Sequence, residues 1–376
     1  MLGTRLRGLP GPILVTGHTG FKGTWLTFLL ERLQVPVIGF SLPPEKDSLF
    51  DRAKRTGLIP EEFADICDLE AVSRFLTHHK PSAIIHLAAQ PLVLESYKTP
   101  RETFETNVMG TVNVLDVAFK TDYIKAILVV TTDKVYKNDN SGSRFIESDS
   151  LEGKDPYSAS KVGTESAVAA WQQISKVSGG PKVLSLRAGN VIGGGDWGEN
   201  RLIPELIRGF TTSTTVPVRN PHSSRPWQHV LDPLRGYLMA LEAVLGGQSL
   251  QALNFGPDSA SLSVRDVVEV STKVWPTPTS IEFADDSLSK GIESINLQLD
   301  SNHAKKFLGW KPCWNQNESV IATIRWWDSV LNKSLNVADT CHSDIDFMFS
   351  RTNHQQGKIQ GTETSESIKV MQGGNS

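Results

Sequence analysis

A regular alternation of strand and helix patterns over the first half of the chain does most to limit its fold. Ile13–Thr16, Pro36–Phe40, Ala83–Leu87, Ala126–Val130 and Val183–Arg187 are short apolar runs. Between them, Trp25–Leu33, Leu69–His79, Thr103–Lys120 and Tyr157–Lys176 carry apolar residues at helical spacing. The runs are continuous rather than alternating, as in strands covered on both faces. Joining such strands through helices gives parallel pairs, since a parallel crossover needs a long connection. The expected fold class is therefore α/β, a doubly wound parallel sheet.

The turn between the first strand and first helix reads Gly17-His18-Thr19-Gly20-Phe21-Lys22-Gly23. Glycines at this point allow a sharp turn, a close approach of backbone to a pyrophosphate, and a helix N-terminus facing the anion. The segment, Phe21 and Lys22 included, is the expected cradle of a dinucleotide. Asp65 and Ile66, after the next strand, are expected at the adenine. Leu87, Ala88, Ala89 and Gln90 are expected on the nicotinamide side, where small residues permit close approach. The second strand ends in Gly39-Phe40-Ser41, without the acid that usually grips the adenosine ribose or an arginine for a 2′-phosphate. Residue chemistry here favours NAD over NADP only weakly.

The reactive residues follow the Ala126–Val130 run. Thr132, Asp133 and Lys134 stand after it, and Tyr157 and Lys161 lie one helical turn apart on one face. An ammonium beside a phenol favours the phenolate, so Tyr157 is expected to act as a base on a sugar hydroxyl, its pKa lowered. Lys161 is also expected to hold the nicotinamide ribose, which adds Tyr157 and Lys161 to the cofactor residues. An acid and an amine next to that pair point to elimination as well as redox chemistry.

Between residues 187 and 235 every basic side chain other than histidine is an arginine. Planar guanidinium groups suit the oxygens of a diphosphate. Arg201, Arg219 and Arg225 are the expected substrate contacts, with Asn190 at the sugar end. Arg208 and Arg235 fall on expected helices and read as surface charges. Trp197 and Trp227 suit either stacking on the substrate or packing in a core. His229 reads as structural, and His86 has no partners at metal-ligand spacing, so no metal is expected.

The texture changes after Arg187. Residues 1–187 read as the dinucleotide-binding domain, with about 229–258 returning to it, and 188–330 mainly as a smaller substrate-binding lobe. From 332 to 376 the chain is polar and aperiodic and reads as a disordered tail. A net charge of -3 excludes a global basic field for nucleic acid. Cys67, Cys313 and Cys341 share no metal-ligand spacing and read as reduced thiols. The apolar N-terminal stretch is broken by Gly17, His18, Gly20 and Lys22, unlike a signal peptide, and no run is long enough to span a bilayer. A cytoplasmic protein without membrane partners is expected.

The segments Gly17 to Gly23, His86-Leu-Ala-Ala-Gln-Pro91, Asn107-Val-Met-Gly-Thr111, Thr132-Asp-Lys134, Tyr157-Ser-Ala-Ser-Lys161, Gly193-Gly-Gly-Asp-Trp197, Arg201-Leu-Ile-Pro204 and Arg225-Pro-Trp-Gln-His-Val230 carry a family resemblance. Over about residues 12–330 the chain resembles extended short-chain dehydrogenase/reductases of the nucleotide-sugar epimerase/dehydratase group. That implies a Rossmann fold, NAD as cofactor and a nucleotide sugar as substrate. It also implies an internal redox cycle, with Tyr157 and Thr132 at the carbon 4 hydroxyl and Asp133 protonating the departing carbon 6 hydroxyl. Several dehydratases of the group carry a glutamate where this chain has Lys134, which makes Lys134 the expected base for carbon 5. The helices Thr103–Lys120 and Tyr157–Lys176 resemble the pair used there for dimers, so a homodimer or homotetramer is expected. An epimerase or reductase of the same fold, and a dinucleotide-sensing protein without catalysis, are the alternatives.

Overall fold

The computed structural model describes residues 2–139, 142–259, 261–283 and 297–352. Seven strands form the central sheet: β1 (Ile13–Thr16), β2 (Val37–Ser41), β3 (Glu61–Phe63), β4 (Ala83–His86), β5 (Ala126–Val130), β6 (Lys182–Ala188) and β7 (Ala252–Phe255). Their order is β7-β6-β5-β4-β1-β2-β3, and every pairing is parallel. Ile13 of β1 stands opposite Val37 of β2 and Ala83 of β4. The chain reverses direction across the sheet between β1 and β4. At such a switch point the loops leaving the strand ends diverge and open a crevice.

Successive side chains of a strand point to opposite faces, and the core divides accordingly. Ile13, Val15, Ile85 and Leu128 join one apolar layer with Trp25, Phe28 and Leu29 of the helix Phe21–Arg32. Leu14, Ile84, Ile127 and Val129 join the other with Val72, Phe75 and Val168. Burying one such large side chain contributes about 2 to 3 kcal/mol, so a continuous apolar strand is stable only with both layers in place.

The smaller lobe is built on short strand pairs, Val216–Val218 with Ile281–Phe283 and Val191–Ile192 with Gln228–His229, and the helices Leu202–Thr212 and Val264–Val274. Its apolar residues Ile203, Leu206, Phe210 and Val267 are continuous with the first layer of the sheet. The change of texture after Arg187 is thus no break in the core.

Two expectations are corrected. Thr103–Lys120 is not one uniform helix: it runs as Pro100–Phe104, a π-helical turn over Glu105–Gly110, and Thr111–Phe119. The region expected as a disordered tail is helical over 337–352. Cys341, Ile345 and Met348 recur on one face of that helix and are fully buried in the first layer. Polar residues on its other face masked the periodicity. Residues 353–376 of the expected tail lie outside the described residues.

Candidate active site

The glycine loop is built by sterics. Gly17 has φ 71°, and a Cβ there would stand 2.7 Å from Ala88 N, while one at Gly23 would stand 2.1 Å from Gly17 O. Only hydrogen fits at either position, so the loop lies flat on the end of the sheet. Gly20 caps the helix Phe21–Arg32 without a side-chain partner, leaving first-turn N–H groups facing outward. That arrangement fits a bound pyrophosphate.

A cleft of about 1590 Å³ opens from this loop across the strand ends. Gly17, Gly20, Phe21, Lys22, Gly23, Asp65, Ile66, Leu87, Ala88 and Ala89 line it on the cofactor side. Gln90 does not. Its backbone N–H donates to Asn107 Oδ1 (2.8 Å) and its side-chain amide donates to Leu92 O and to Thr103 Oγ1 (2.9 Å), so its role is to pin the loop. At the adenosine end the Ser41 hydroxyl pairs with Thr19 Oγ1 at 2.8 Å, where many dinucleotide sites place an acid.

Thr132, Asp133, Lys134, Tyr157 and Lys161 all line the same cleft. The helix Pro156–Ser178 starts in a capping box: Asp155 accepts from Ser158 N at 2.9 Å, and Pro156 occupies the first turn. The start puts Tyr157 at the helix mouth, where its N–H donates to Ser96 Oγ. Thr132 Oγ1 donates to Asp133 Oδ1 at 3.0 Å and acts to lower the pKa of the Tyr157 phenol. Lys161 Nζ points to Val130 O, 3.4 Å away.

Burial dominates the electrostatics. It pushes Asp133 up to about 6, although Lys134, a hydrogen bond from Thr132, Arg225 and Lys22 pull the other way. It brings Lys161 down to about 8, assisted by Lys22 and resisted by Glu165. Lys22 likewise falls to about 8 through burial and the nearby Arg201, with Asp133 opposing. The expected lowering of Tyr157 is reversed: burial pushes the phenol up to about 12, Thr132 and Arg201 act downward, and Asp133 and Asp155 add to the rise.

Asn190, Arg201, Arg219, Arg225 and Trp227 line the far wall. Arg201 is held by both oxygens of the buried Asp196, at 3.1 and 3.0 Å. Arg219 is exposed, 3.4 Å from Glu205. The Trp227 indole N–H is directed away, donating to Leu262 O. Trp197 lines the cleft, but Arg52 and Arg208 pack over its ring and Trp327 lies beside it. Neither Arg208 nor Arg235 is a plain surface charge. Arg208 donates to Trp197 O, and Arg235 is buried against Lys311 O. His229 is fully buried against Trp314, as a structural histidine would be. His86 is satisfied by Thr16 (2.7 Å) and Thr111 (3.0 Å).

Two groups were given no role by the sequence reading. Asn107, in the π-helical turn, joins the Gln90 loop to Ser160 on the catalytic helix (2.9 Å). Glu165, one turn beyond Lys161, forms a buried pair with Arg187. An acid at i+4 from a lysine that itself stands at i+4 from a tyrosine was the available signal for the second. The first stood in the Asn107-to-Thr111 segment of the family resemblance, which gave it no role.

Fold and site together define a dinucleotide-binding α/β protein whose cofactor cleft ends in a Thr-Asp-Lys triplet facing a Tyr-x-x-x-Lys helix. The chain belongs to the NAD dependent epimerase/dehydratase family, whose model matches residues 13–256. It is 38% identical over 323 residues to the CDP-glucose 4,6-dehydratase of Salmonella typhimurium, covering 84% of this chain and 89% of that one. It is 27% identical to a dTDP-glucose 4,6-dehydratase of Escherichia coli, covering 84% and 93%. The fold matches the dTDP-glucose 4,6-dehydratase DesIV of Streptomyces venezuelae, solved with NAD (TM-score 0.73, 23% identity, 87% of this chain, 99% of that one). It also matches the UDP-glucose 4-epimerase of Thermus thermophilus in complex with NAD (TM-score 0.73, 22% identity, 85% and 100%). The cofactor is NAD, and the glycine cradle that a Cβ would fill accords with it. Among the described residues no group of three His, Cys, Asp or Glu side chains is placed to hold a metal ion, and no helix is long and apolar enough to cross a membrane.

Proposed function

We propose that the protein is a nucleotide-sugar 4,6-dehydratase, a hydro-lyase that converts CDP-glucose to CDP-4-keto-6-deoxyglucose and water. The cytidine diphosphate follows from likeness to the Salmonella typhimurium enzyme. The observation that carries the reaction class is Asp133, a buried carboxyl lifted to about 6 within the cleft that holds Tyr157 and Lys161. An epimerase or reductase needs the tyrosine and lysine but no such acid.

NAD, when bound, supplies the acceptor and later the donor of the hydride, so none is consumed. Tyr157 takes the proton of the carbon 4 hydroxyl while Thr132 polarises it; Thr132, Arg201 and the positive charge that bound NAD would bring act against the burial that lifts the phenol of the free protein to about 12. The carbon 4 ketone acidifies carbon 5, and Lys134 removes that proton. Asp133, protonated near its raised pKa, delivers a proton to the carbon 6 oxygen, which leaves as water. Hydride returns to carbon 6 and a proton to carbon 5. Lys161 holds the nicotinamide ribose, Arg219 and Arg225 take the diphosphate, and Asn190 and Arg201 the sugar end.

Incubating the purified protein with NAD and CDP-glucose should give the alkaline absorbance of a 4-keto-6-deoxy sugar. Turnover of UDP- or GDP-sugars without that signal from CDP-glucose rejects the base assignment, and a 4-epimer without water loss rejects the dehydratase. In Lys134→Met, solvent deuterium should no longer enter carbon 5; retained exchange removes Lys134 from that step.

We also propose a homo-oligomer in the cytoplasm. Tyr97 on the helix Val93–Lys98, Phe104 and Met109 at the π-helical turn, and Val177 on the catalytic helix are exposed apolar side chains. Pairing them across a two-fold axis would cover them, and light scattering at micromolar concentration reads the mass. The three free thiols are stable in a reducing compartment.

A further inference from the structure

The Glu165 carboxylate ties its own helix to two neighbouring strands at once. Its Oε1 accepts from Thr131 Oγ1 of the β5 end (2.6 Å), Ser185 Oγ of β6 (2.6 Å) and Arg187 Nε (2.9 Å), and its Oε2 from Arg187 Nη2 (2.8 Å). Both partners of the pair are almost fully buried, at 6% and 5% side-chain exposure. Arg187 also donates to Tyr136 Oη at 2.8 Å, and Tyr136 donates to Asn254 at 2.7 Å, so the guanidinium has little freedom. Thr131 precedes Thr132, and Glu165 follows Lys161 by one helical turn. The same carboxylate therefore joins the strand that carries the hydroxyl to the helix that carries the phenol and the ammonium.

A buried ion pair of this kind is weak as a source of net stability, because desolvation offsets attraction. It specifies one arrangement, since a guanidinium fork and a carboxylate meet in a fixed plane. The surroundings of Lys161 show what that arrangement serves. Lys22 approaches from the glycine-loop helix and His86 from β4, while Glu165 is the anion acting on it from its own helix. Tyr157 on that helix, Asp133 and Lys134 beyond the β5 end, and Arg201 on the far wall are the other charged or titratable groups around it.

We infer that Glu165, gripped by Arg187, is a positioning residue for the reaction: it fixes the Tyr157–Lys161 helix against Thr132 and keeps a negative charge one turn from the Lys161 ammonium. The inference rests on the roles proposed above for Tyr157, Lys161 and Thr132.

The test separates charge from geometry. In cofactor-free protein carrying 13Cε-labelled lysine, with Lys161→Met assigning the resonance, Glu165→Gln should lower the titration midpoint of Lys161 by about one pH unit. With CDP-glucose and NAD, Arg187→Lys keeps both charges but loses the fork. It should leave that midpoint in place and reduce kcat about 10-fold at unchanged KM. An unmoved midpoint in Glu165→Gln, or wild-type kcat in Arg187→Lys, overturns the inference. Should Glu165→Gln not fold, Arg187→Lys decides alone through kcat. A purely structural pair would lower Tm in both variants without moving the midpoint. If wild-type protein makes no product from CDP-glucose while the midpoint still shifts, the proposed reaction falls and the charge relation stands.

Discussion

At the scale of single residues, the site turns on how burial divides its titratable groups. Asp133 is raised to about 6, so a useful fraction holds a proton near neutral pH, as a general acid requires. Asp133→Asn should cut formation of the 4-keto-6-deoxy product about 100-fold or more while leaving transient absorbance at 340 nm on mixing with CDP-glucose. Loss of that transient as well would place Asp133 in the oxidation instead. A glycine positions this carboxyl. A Cβ at Gly189 would stand 2.9 Å from Asp133 Oδ2 and 3.1 Å from Pro226 Cγ. Gly189→Ala should therefore lower kcat about 10-fold with Tm almost unmoved, read by steady-state kinetics beside a thermal melt. Thr132, Asp133, Lys134, Tyr157 and Lys161 were legible because spacing on one helix and at one strand end is a local property. The direction of the Tyr157 shift was not, because it depends on how much chain surrounds the phenol and on the charge of Asp133, which the fold brings near it.

At the scale of elements, the loop Gly193-Gly194-Gly195 shows why a glycine run can carry packing rather than flexibility. A Cβ on Gly194 would fall 1.8 Å from the Trp326 ring, and one on Gly195, whose φ is 82°, 2.4 Å from Leu49. Trp25 Nε1 donates to Gly194 O at 2.9 Å. The loop is clamped between the cofactor helix, the excursion after β2 and the helix Gln316–Leu331, and it carries Asp196 directly to Arg201. Gly194→Ala should destabilise the fold by about 2 to 3 kcal/mol, measured by denaturant unfolding. A loss below about 0.5 kcal/mol would mean that the clamp is loose. The sheet strands were readable from their apolar runs except β3, where Glu61 and Glu62 leave none. The π-helical turn was not, since its sequence is ordinary and its shape follows from Asn107 joining Gln90 to Ser160.

At the scale of the whole molecule, the helix over 337–352 closes the first apolar layer and brings Asp344 within 3.8 Å of the buried His229. Burial raises Asp344 to about 7 and lowers His229 to about 3, so both rest neutral between those two values. A carboxyl with a raised folded pKa contributes its stability in full below the unfolded value of 3.8 and loses it as pH rises through about 7. Asp344→Asn should thus gain on the wild type between pH 5 and pH 8, by a few kcal/mol at most. Thermal melts at the two pH values check the sign, and a gap that shrinks with pH contradicts it. The sequence by itself determined the alternation that makes a parallel sheet, the glycines that flatten the cofactor loop, and the spacing that brings Tyr157 and Lys161 to one helix face. Those features depend on backbone geometry and on neighbours within a turn or two. Only the tertiary structure decided that Arg187 serves Glu165 rather than a phosphate, that Trp197 is packed between arginines, and that a polar C-terminal stretch becomes a core helix. Each of these depends on partners tens to hundreds of positions away, and on how much water the finished fold leaves around a charge.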